Sequence, residues 1–529
     1  MKKYLPIEIL QKIFGSQLDI LTLYNCLLVN RLWCKTVVPL LWQNPFSHFD
    51  KNKIQRWKYK SSLINTYVTC LDSNVKNYLK NSDIILPEEI NKRSTFNYET
   101  FLQSLDYTLL FQSTGNWIGE VENCTLRKLT LRHYLLVEEL CKLFFSSSRN
   151  LKELIYDKPH SLPHVQELRY IPLKYLGAEQ FMSKLVSFKV YDLIPNEIII
   201  SLSQISHHLS EIQIETTGDN DDALASLISV QKSLKKLVIC SEDNLPKLSD
   251  VLRKNLSLSL THVEINWEFC VPFDIFCNCS DTLEYFSVQQ YYSGSISRST
   301  FHQFSNTQFK KLHTLKIITP KLYLDQISTL IKNTKDTLKY IHLDYEKISI
   351  ESSVELINSI STCSQLNTLE IFVPDDSISC IVNLLSSCTK LQRISFLTGD
   401  SLNDLDTYTV DISDILPKIG KILPNNLSTF YLSHNWITTA NSLRDFLKEC
   451  EKNFKKRGEK KLDFRIIKEL SAEHIDVIEE FGKRGILDLE DTALGKNLQF
   501  YRQQFEWKLA RNIIVNKRKA HLNNFSELI

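Results

Sequence analysis

Leu427-Ser428-Thr429-Phe430-Tyr431-Leu432-Ser433-His434-Asn435 holds the fullest copy of a phrase that recurs along most of the chain: a leucine, two variable residues, then apolar-x-apolar. Working back from it, copies begin at Leu391, Leu366, Leu338, Leu312, Leu283, Leu260, Leu234, Leu209, Leu185 and Leu151, with a further one at Leu126-Arg127-Lys128-Leu129-Thr130-Leu131. The usual step is about 25 residues, within the roughly 20 to 29 of a repeat built on one short strand per unit. Longer gaps separate Leu151 from Leu185 and Leu391 from Leu427.

Between the phrases lie stretches with apolar residues at helical spacing, among them Ala223-Leu224-Ala225-Ser226-Leu227-Ile228 and Ile327-Ser328-Thr329-Leu330-Ile331. Each unit therefore reads as one strand plus one helix. Neither element buries its apolar side alone, so successive units must stack, with parallel strands inside and helices outside. Leu462-Asp463-Phe464-Arg465-Ile466 and Ser471 to Phe481 read as one more strand and helix.

Strand alternation sends the apolar residues of each phrase into the body and their neighbours to the open face. That rule places Lys128, Thr130, Glu211, Gln213, Lys236, His262, Glu264, Tyr285, Ser287, Lys316, Tyr340, His342, Glu370, Phe372, Arg393 and Tyr431 on the open face. Tyr285, Tyr340, His342, Phe372 and Tyr431 stand out as anchors for a bound protein, because aromatic side chains bury much area at little entropic cost. The plainer reading is that they are ordinary strand-favouring residues. The phrase resembles the leucine-rich repeat, although most copies lack the Asn or Cys that follows the strand in that family and only the copy ending at Asn435 is whole. A leucine-rich, non-repetitive α/β protein is the alternative.

The first 46 residues have a different pattern. In Leu5-Pro6-Ile7-Glu8-Ile9-Leu10-Gln11-Lys12-Ile13-Phe14 a proline suited to a first helical turn precedes apolar residues one turn apart. Leu21, Leu23, Leu27 and Leu28 suggest a second helix, and Asn30 suits the cap of a third carrying Trp33 and Val37, with Pro39 expected to end it. Three helices this short leave apolar side chains for a partner, or for sealing the end of the repeats.

Leu5-Pro6-x-Glu8-Ile9-Leu10-x-x-Ile13-Phe14, followed by Leu23, Cys26, Val29-Asn30-Arg31 and Trp33, resembles the F-box motif in order and span. The stretch from Val37 to Phe46 is similar to the tail of many fungal F-box proteins. The loop from Gly15 to Ile20 departs from the family, whose common Asp-Leu pair is met loosely by Asp19-Ile20 and Leu21. The resemblance implies that Leu5, Pro6, Ile9, Ile13, Val29 and Trp33 contact a small Skp-family adaptor, and through it a cullin carrying the ubiquitin-conjugating enzyme. Four segments follow: an F-box-like domain at 1–46, a helical connector at 47–118, a leucine-rich-repeat-like solenoid at 119–470, and a C-terminal cap and tail at 471–529.

Composition narrows the partners. Lys+Arg 63 against Asp+Glu 61 leaves a net charge of +2, which gives no bulk attraction to nucleic acid or anionic membrane. Pro6 and Glu8 interrupt any apolar secretion signal, and no apolar run approaches the roughly 20 residues that span a bilayer, so the expected location is cytoplasmic or nuclear. The basic residues near Lys517-Arg518-Lys519 read as solvated surface.

Catalytic patterns are missing: there is no phosphate-binding loop, His-Glu-x-x-His helix or nucleophile elbow. Cys277-x-Cys279, with Cys270 and His262 near it, is the one grouping that resembles metal ligands, and it lacks a second pair at zinc spacing. The odd count of 13 cysteines points to free thiols rather than a disulfide framework. The expectation is a non-enzymatic chain with no cofactor and no metal. It is read as the substrate-recognition adaptor of a Skp-cullin-F-box ubiquitin ligase, with an unidentified protein substrate on its repeats. The alternative is a leucine-rich-repeat scaffold with no role in ubiquitination.

Overall fold

A computed structural model of the chain describes residues 6–15, 19–46, 57–91, 94–122, 130–148, 150–156, 178–191, 193–255, 259–290, 298–319, 322–345, 350–397, 410–433, 436–453, 456, 458, 460–466 and 470–489. They fall into two compact units, Met1–Leu260 and Thr261–Ile529.

The first unit opens on helices α1 (Ile7–Gly15), α2 (Ile20–Leu27), α3 (Arg31–Trp42), α4 (Trp57–Cys70) and α5 (Ser73–Asn81). Asp19 caps α2 and Asn30 caps α3, each side chain accepting a backbone N–H three residues on, from Thr22 and Trp33. Pro39 does not end α3, as the sequence had suggested, but lies inside it. A proline there loses its own N–H bond and crowds the carbonyl four residues back. Burial of Val37 and Val38 and the packing of Trp42 on Tyr67 (5.3 Å) and Tyr98 (4.3 Å) carry the helix past it.

Strand and helix then alternate: β1 (Ser104–Asp106), α6 (Tyr107–Glu122), α7 (Thr130–Ser147), β2 (Glu153–Tyr156), α8 (Ala178–Met182), β3 (Ser187–Val190), α9 (Asn196–Ile205), β4 (Glu211–Glu215), α10 (Asp221–Ser229), β5 (Lys236–Ser241) and α11 (Pro246–Lys254). The strands pair in parallel and in chain order. β1 falls in the stretch expected to be a helical connector, and its phrase, Leu102-Gln103-Ser104-Leu105-Asp106-Tyr107, is a copy of the repeat that precedes Leu151. Of the phrase proposed at Leu126, Leu126 to Leu129 lie outside the described residues, and Thr130 and Leu131 begin α7.

The second unit continues with β6 (His262–Trp267), β7 (Tyr285–Gln290), α12 (Arg298–Asn306), β8 (Thr314–Ile318), α13 (Leu324–Thr334), β9 (Tyr340–Asp344), α14 (Ile350–Ser361), β10 (Thr368–Phe372), α15 (Cys380–Ser387) and β11 (Arg393–Leu397). After these come β12 (Val410–Asp411), α16 (Leu416–Ile422), β13 (Thr429–Leu432), β14 (Trp436–Ile437), α17 (Ala440–Asn453), β15 (Asp463–Ile466) and α18 (Ala472–Lys483). The main sheet again runs in parallel, β6-β7-β8-β9-β10-β11-β13-β15, while β12 and β14 form a small separate pair. Every phrase from Leu151 to Leu427 carries a strand, and so does the terminal one expected at Leu462. The fold class is the α/β one expected: N-terminal helices, then stacked strand and helix units with parallel strands.

The leading leucine of each phrase is the anchor. From Leu151 to Leu427 none is more than 1% exposed, and the two apolar residues after it are buried on the same side of the strand, beneath helices that pack in order beside one another. Within the first unit a backbone rung ties successive repeats. The carbonyl just before one strand accepts two N–H groups from the following repeat: Gln103 from Lys152 and Glu153, Lys152 from Val186 and Ser187, Val186 from Ser210 and Glu211. The Asn or Cys missing after the strands has a counterpart elsewhere. Three residues before the leucine, Ser148, Ser206, Gln231 and Cys388 donate side-chain bonds to carbonyls of the preceding unit, at Leu102, Met182, Ser206 and Ile360. These bonds satisfy backbone groups that burial would otherwise strand.

One buried group makes the first unit sensitive to acid. His133 on α7 lies 7% exposed against Phe111, and its Nε2 donates to the Phe111 carbonyl at 2.6 Å. Burial, only partly offset by that bond, lowers its pKa to about 4. The unfolded chain, with a histidine near 6.5, then binds the extra proton first. Stability is present above about pH 6.5 and falls between there and about pH 4, by on the order of 3 kcal/mol. Urea titrations across that window should show the loss, and His133→Gln should flatten it. A parent whose midpoint does not move would refute the assignment.

Candidate functional site

The N-terminal helices divide their apolar residues between two faces. Leu10, Phe14, Leu23, Cys26 and Val37 form a small core with Trp33 packed on it, the Phe14 and Trp33 rings edge-on at 4.9 Å. The stripe expected on α1 thus splits: Leu10 and Phe14 turn inward, while Ile9 (42% exposed) and Ile13 (45%) face out. Around the turn between α2 and α3, Leu21 (71%), Tyr24 (60%), Leu28 (80%) and Val29 (56%) are also exposed. Isolated exposed apolar residues are ordinary, but a set drawn from two helices and the turn that follows them is a patch that wants a cover.

Of the adaptor contacts implied by the sequence, Pro6 is exposed at the head of α1, with its carbonyl accepting from Ile9 and Leu10 at 3.2 and 3.1 Å. Ile9, Ile13 and Val29 are on the exposed face, Trp33 is half-buried against the core, and Leu5 lies outside the described residues. Leu21, Tyr24 and Leu28 are exposed as well and were not singled out as contacts from the sequence. Their signal was present as a run of apolar residues too dense for one helix face to bury.

The other end of this domain is part of the repeat stack. The Gln43 carbonyl, just past α3, accepts N–H groups from Gln103 (2.8 Å) and Ser104 (3.1 Å), the same rung that the Gln103, Lys152 and Val186 carbonyls make to the repeats after them. Phe46 is fully buried. The N-terminal helices therefore cap the first strand while leaving their outer face bare.

The open faces of the two sheets differ. In the first unit Glu153, Lys189, Glu211 and Lys236 pair across β2 to β5, with Lys189 2.7 Å from Glu153 and 3.2 Å from Glu211, and Lys236 3.0 Å from Glu211. Burial opposes the Glu211 charge, but Lys236, Ser187 and Lys189 outweigh it and hold the carboxyl below its usual range. In the second unit, Tyr285 lies flat on His262 at 3.9 Å, and the Tyr340 hydroxyl donates to Glu370 at 3.0 Å. Burial first, then the Glu370 carboxylate, raises the Tyr340 hydroxyl well above its ordinary pKa, so it stays a donor. His342 Nδ1 is 3.4 Å from Glu370. Desolvation, only partly countered by Glu370, lowers its pKa and keeps the ring neutral near pH 7.

Tyr285, Tyr340, His342 and Tyr431 are thus partly accessible on the open side. Phe372 is not: it is 3% exposed, edge-on to Tyr345 at 5.1 Å, because alternation breaks at the end of β10, where Ile371 and Phe372 are both buried. As a surface anchor it is withdrawn.

The cysteine grouping has a structural setting. A 3-10 helix, Phe273–Cys279, takes the place of an α-helix between β6 and β7, and the rings of Phe273, Phe276, Phe286, Phe301 and Phe304 fill the space it leaves. Cys270 and Cys279 are buried in that surround, and Cys277 Sγ accepts from the Thr307 hydroxyl at 3.2 Å. Burial raises the Cys277 thiol pKa, which disfavours the thiolate that zinc requires. Among the described residues no three His, Cys, Asp or Glu side chains gather as metal ligands. Elemental analysis of purified protein should find well under one zinc per chain; a one-to-one content would overturn this account of Cys270, Cys277 and Cys279. No described helix is long and apolar enough to cross a membrane.

A domain of three short helices, two of them capped, with a small apolar core and exposed apolar residues has the features of an F-box, and residues 3–48 match the F-box-like family model. The chain carries an F-box-like domain followed by parallel strand and helix repeats. No curated protein matches it.

Proposed function

We propose that this chain recruits substrates to a Skp-cullin-F-box ubiquitin ligase, binding a Skp-family adaptor through the outer face of α1 to α3 and its target through the repeats. The observation that carries the reading is the apolar set Ile9, Ile13, Leu21, Tyr24, Leu28 and Val29, left in solvent within a segment that matches the F-box-like family. Closing such a patch against a partner removes apolar area from water at roughly 25 cal/mol per Å². Such a subunit acts by position: it raises the local concentration of a target lysine beside the conjugating enzyme, and it needs no reactive group of its own.

The second reading, a repeat scaffold whose helices only cap the stack, draws on the Gln43 rung. That rung explains how the inner end of the domain is used and leaves the bare outer face unexplained. Co-expression of the full chain with a Skp-family adaptor, followed by capture on an immobilised cullin, separates the two. Retention of the chain only when the adaptor is present supports the ligase subunit, and no retention in either case supports the scaffold.

A further inference from the structure

The open face of the second unit has cations without partners. Lys316 on β8 is partly buried and Arg393 on β11 is exposed, and among the described residues neither has a carboxylate within ion-pair distance. The carboxylates of the same face are all engaged. Glu264 is 2.5 Å from His262, Glu370 accepts from Tyr340, Asp463 is held bidentate by Arg465, and Asp344 also has a partner. The first unit offers the contrast, since its corresponding lysines are spent on Glu153 and Glu211.

Register fixes the spacing of the two cations. Lys316 aligns with His342, Glu370 and Ser395, and Arg393 stands two residues before Ser395 on the same face. Three strand steps of about 4.8 Å and two residues along a strand place their Cα atoms about 16 Å apart. An extended peptide covers that distance in four or five residues. Tyr340 lies between them, where an apolar side chain would seat.

Resting on the ligase-subunit reading above, we propose that the second unit binds an extended segment of the target that carries two Asp or Glu carboxylates four or five residues apart, one on Lys316 and one on Arg393, with uncharged residues between them on Tyr340. Glu264 and Glu370 flank Lys316 and repel a continuous acidic run, so a pair of spaced carboxylates fits better than a polyanion. Lys316, Arg393 and Arg465 on this face are outnumbered by Glu264, Asp344, Glu370 and Asp463, which argues against nucleic acid.

The test uses the full chain in complex with its adaptor and fluorescein-labelled 12-residue peptides of Val, Thr and Gly, read by anisotropy at low salt. One peptide carries two Glu five residues apart; others carry Gln or phosphoserine there, or Glu throughout. The spaced-Glu peptide should bind at least tenfold tighter than the Gln peptide. That preference should vanish in the Lys316→Gln, Arg393→Gln double variant and persist in Lys236→Gln. Failure to bind, binding equal to the Gln peptide, or tighter binding of the phosphoserine peptide, the all-Glu peptide or a single-stranded oligonucleotide would each overturn the proposal. Co-elution of the adaptor reports separately on the ligase-subunit reading: an adaptor that co-elutes while the spaced-Glu peptide fails to bind leaves that reading standing and removes only this one.

Discussion

A chain carrying Pro6→Ser and Ile9→Glu should lose its Skp-family adaptor by on the order of a thousandfold while keeping its fold. Anchors at the centre of an apolar interface are worth about 2 kcal/mol or more each, and two such losses make about three decades in affinity. The fold is spared because Ile9 is 42% exposed and the core beneath it consists of Leu10, Phe14, Leu23, Cys26 and Val37. The Pro6 carbonyl, which accepts from Ile9 and Leu10, survives substitution by Ser. Pull-down of the adaptor with a thermal melt on the same sample checks both halves. Unchanged co-purification would remove the F-box assignment. Deleting residues 1–46 is a poorer experiment, since it also removes the Gln43 rung and the fully buried Phe46 from the end of the stack.

Changing Tyr285 and Tyr340 together to alanine should abolish target capture and leave adaptor binding intact. The two tyrosines lie on β7 and β9 of the second unit, and the proposed adaptor surface lies on α1 to α3 of the first. Aromatic hot spots cost about 2 to 4 kcal/mol on truncation, so a micromolar target falls below detection. Phe372 belongs in a different experiment. At 3% exposure and packed on Tyr345, its change to alanine should cost about 3 to 5 kcal/mol of stability and say nothing about recognition. Comparing targets held by parent and double variant with the proteasome blocked reads the first effect. Equal capture would move recognition to the helices or loops.

The repeat was legible because one residue type does one job each time: the leading leucine is buried wherever a strand follows from Leu151 to Leu427. The errors came where the phrase is not diagnostic. Leu126-Arg127-Lys128-Leu129-Thr130-Leu131 fits Leu-x-x-apolar-x-apolar, but its first two leucines are also one helical turn apart, and α7 begins inside it. The copy that precedes Leu151, Leu102 to Tyr107, fits the phrase equally well but is followed directly by the long helix α6, which masked it in a stretch of helical spacing. Pairing by the polar residue three places before the leucine would have separated the two, since Ser148 bonds to the Leu102 carbonyl.

The exposed apolar face of the first helices was legible in outline from the motif, and its full extent was not. Periodicity alone assigns Leu10 and Ile9 to one stripe, and only the packing of α1 on α3 puts one inside and the other out. On the open face, alternation located Tyr285, Tyr340 and His342 correctly. It failed at Phe372, where the strand ends before Pro374 and the side chain turns inward. The ion pairing that distinguishes Lys316 from Lys236 depends on cross-strand register, which a single sequence does not reveal.

Native mass spectrometry of the full chain mixed with a Skp-family adaptor and a cullin tests the central claim most directly. The account predicts one assembly containing one copy of each, absent when the adaptor is omitted and absent with the Pro6→Ser, Ile9→Glu chain. A chain that stays free of both partners at micromolar concentrations, or that joins the cullin equally well without the adaptor, would contradict it.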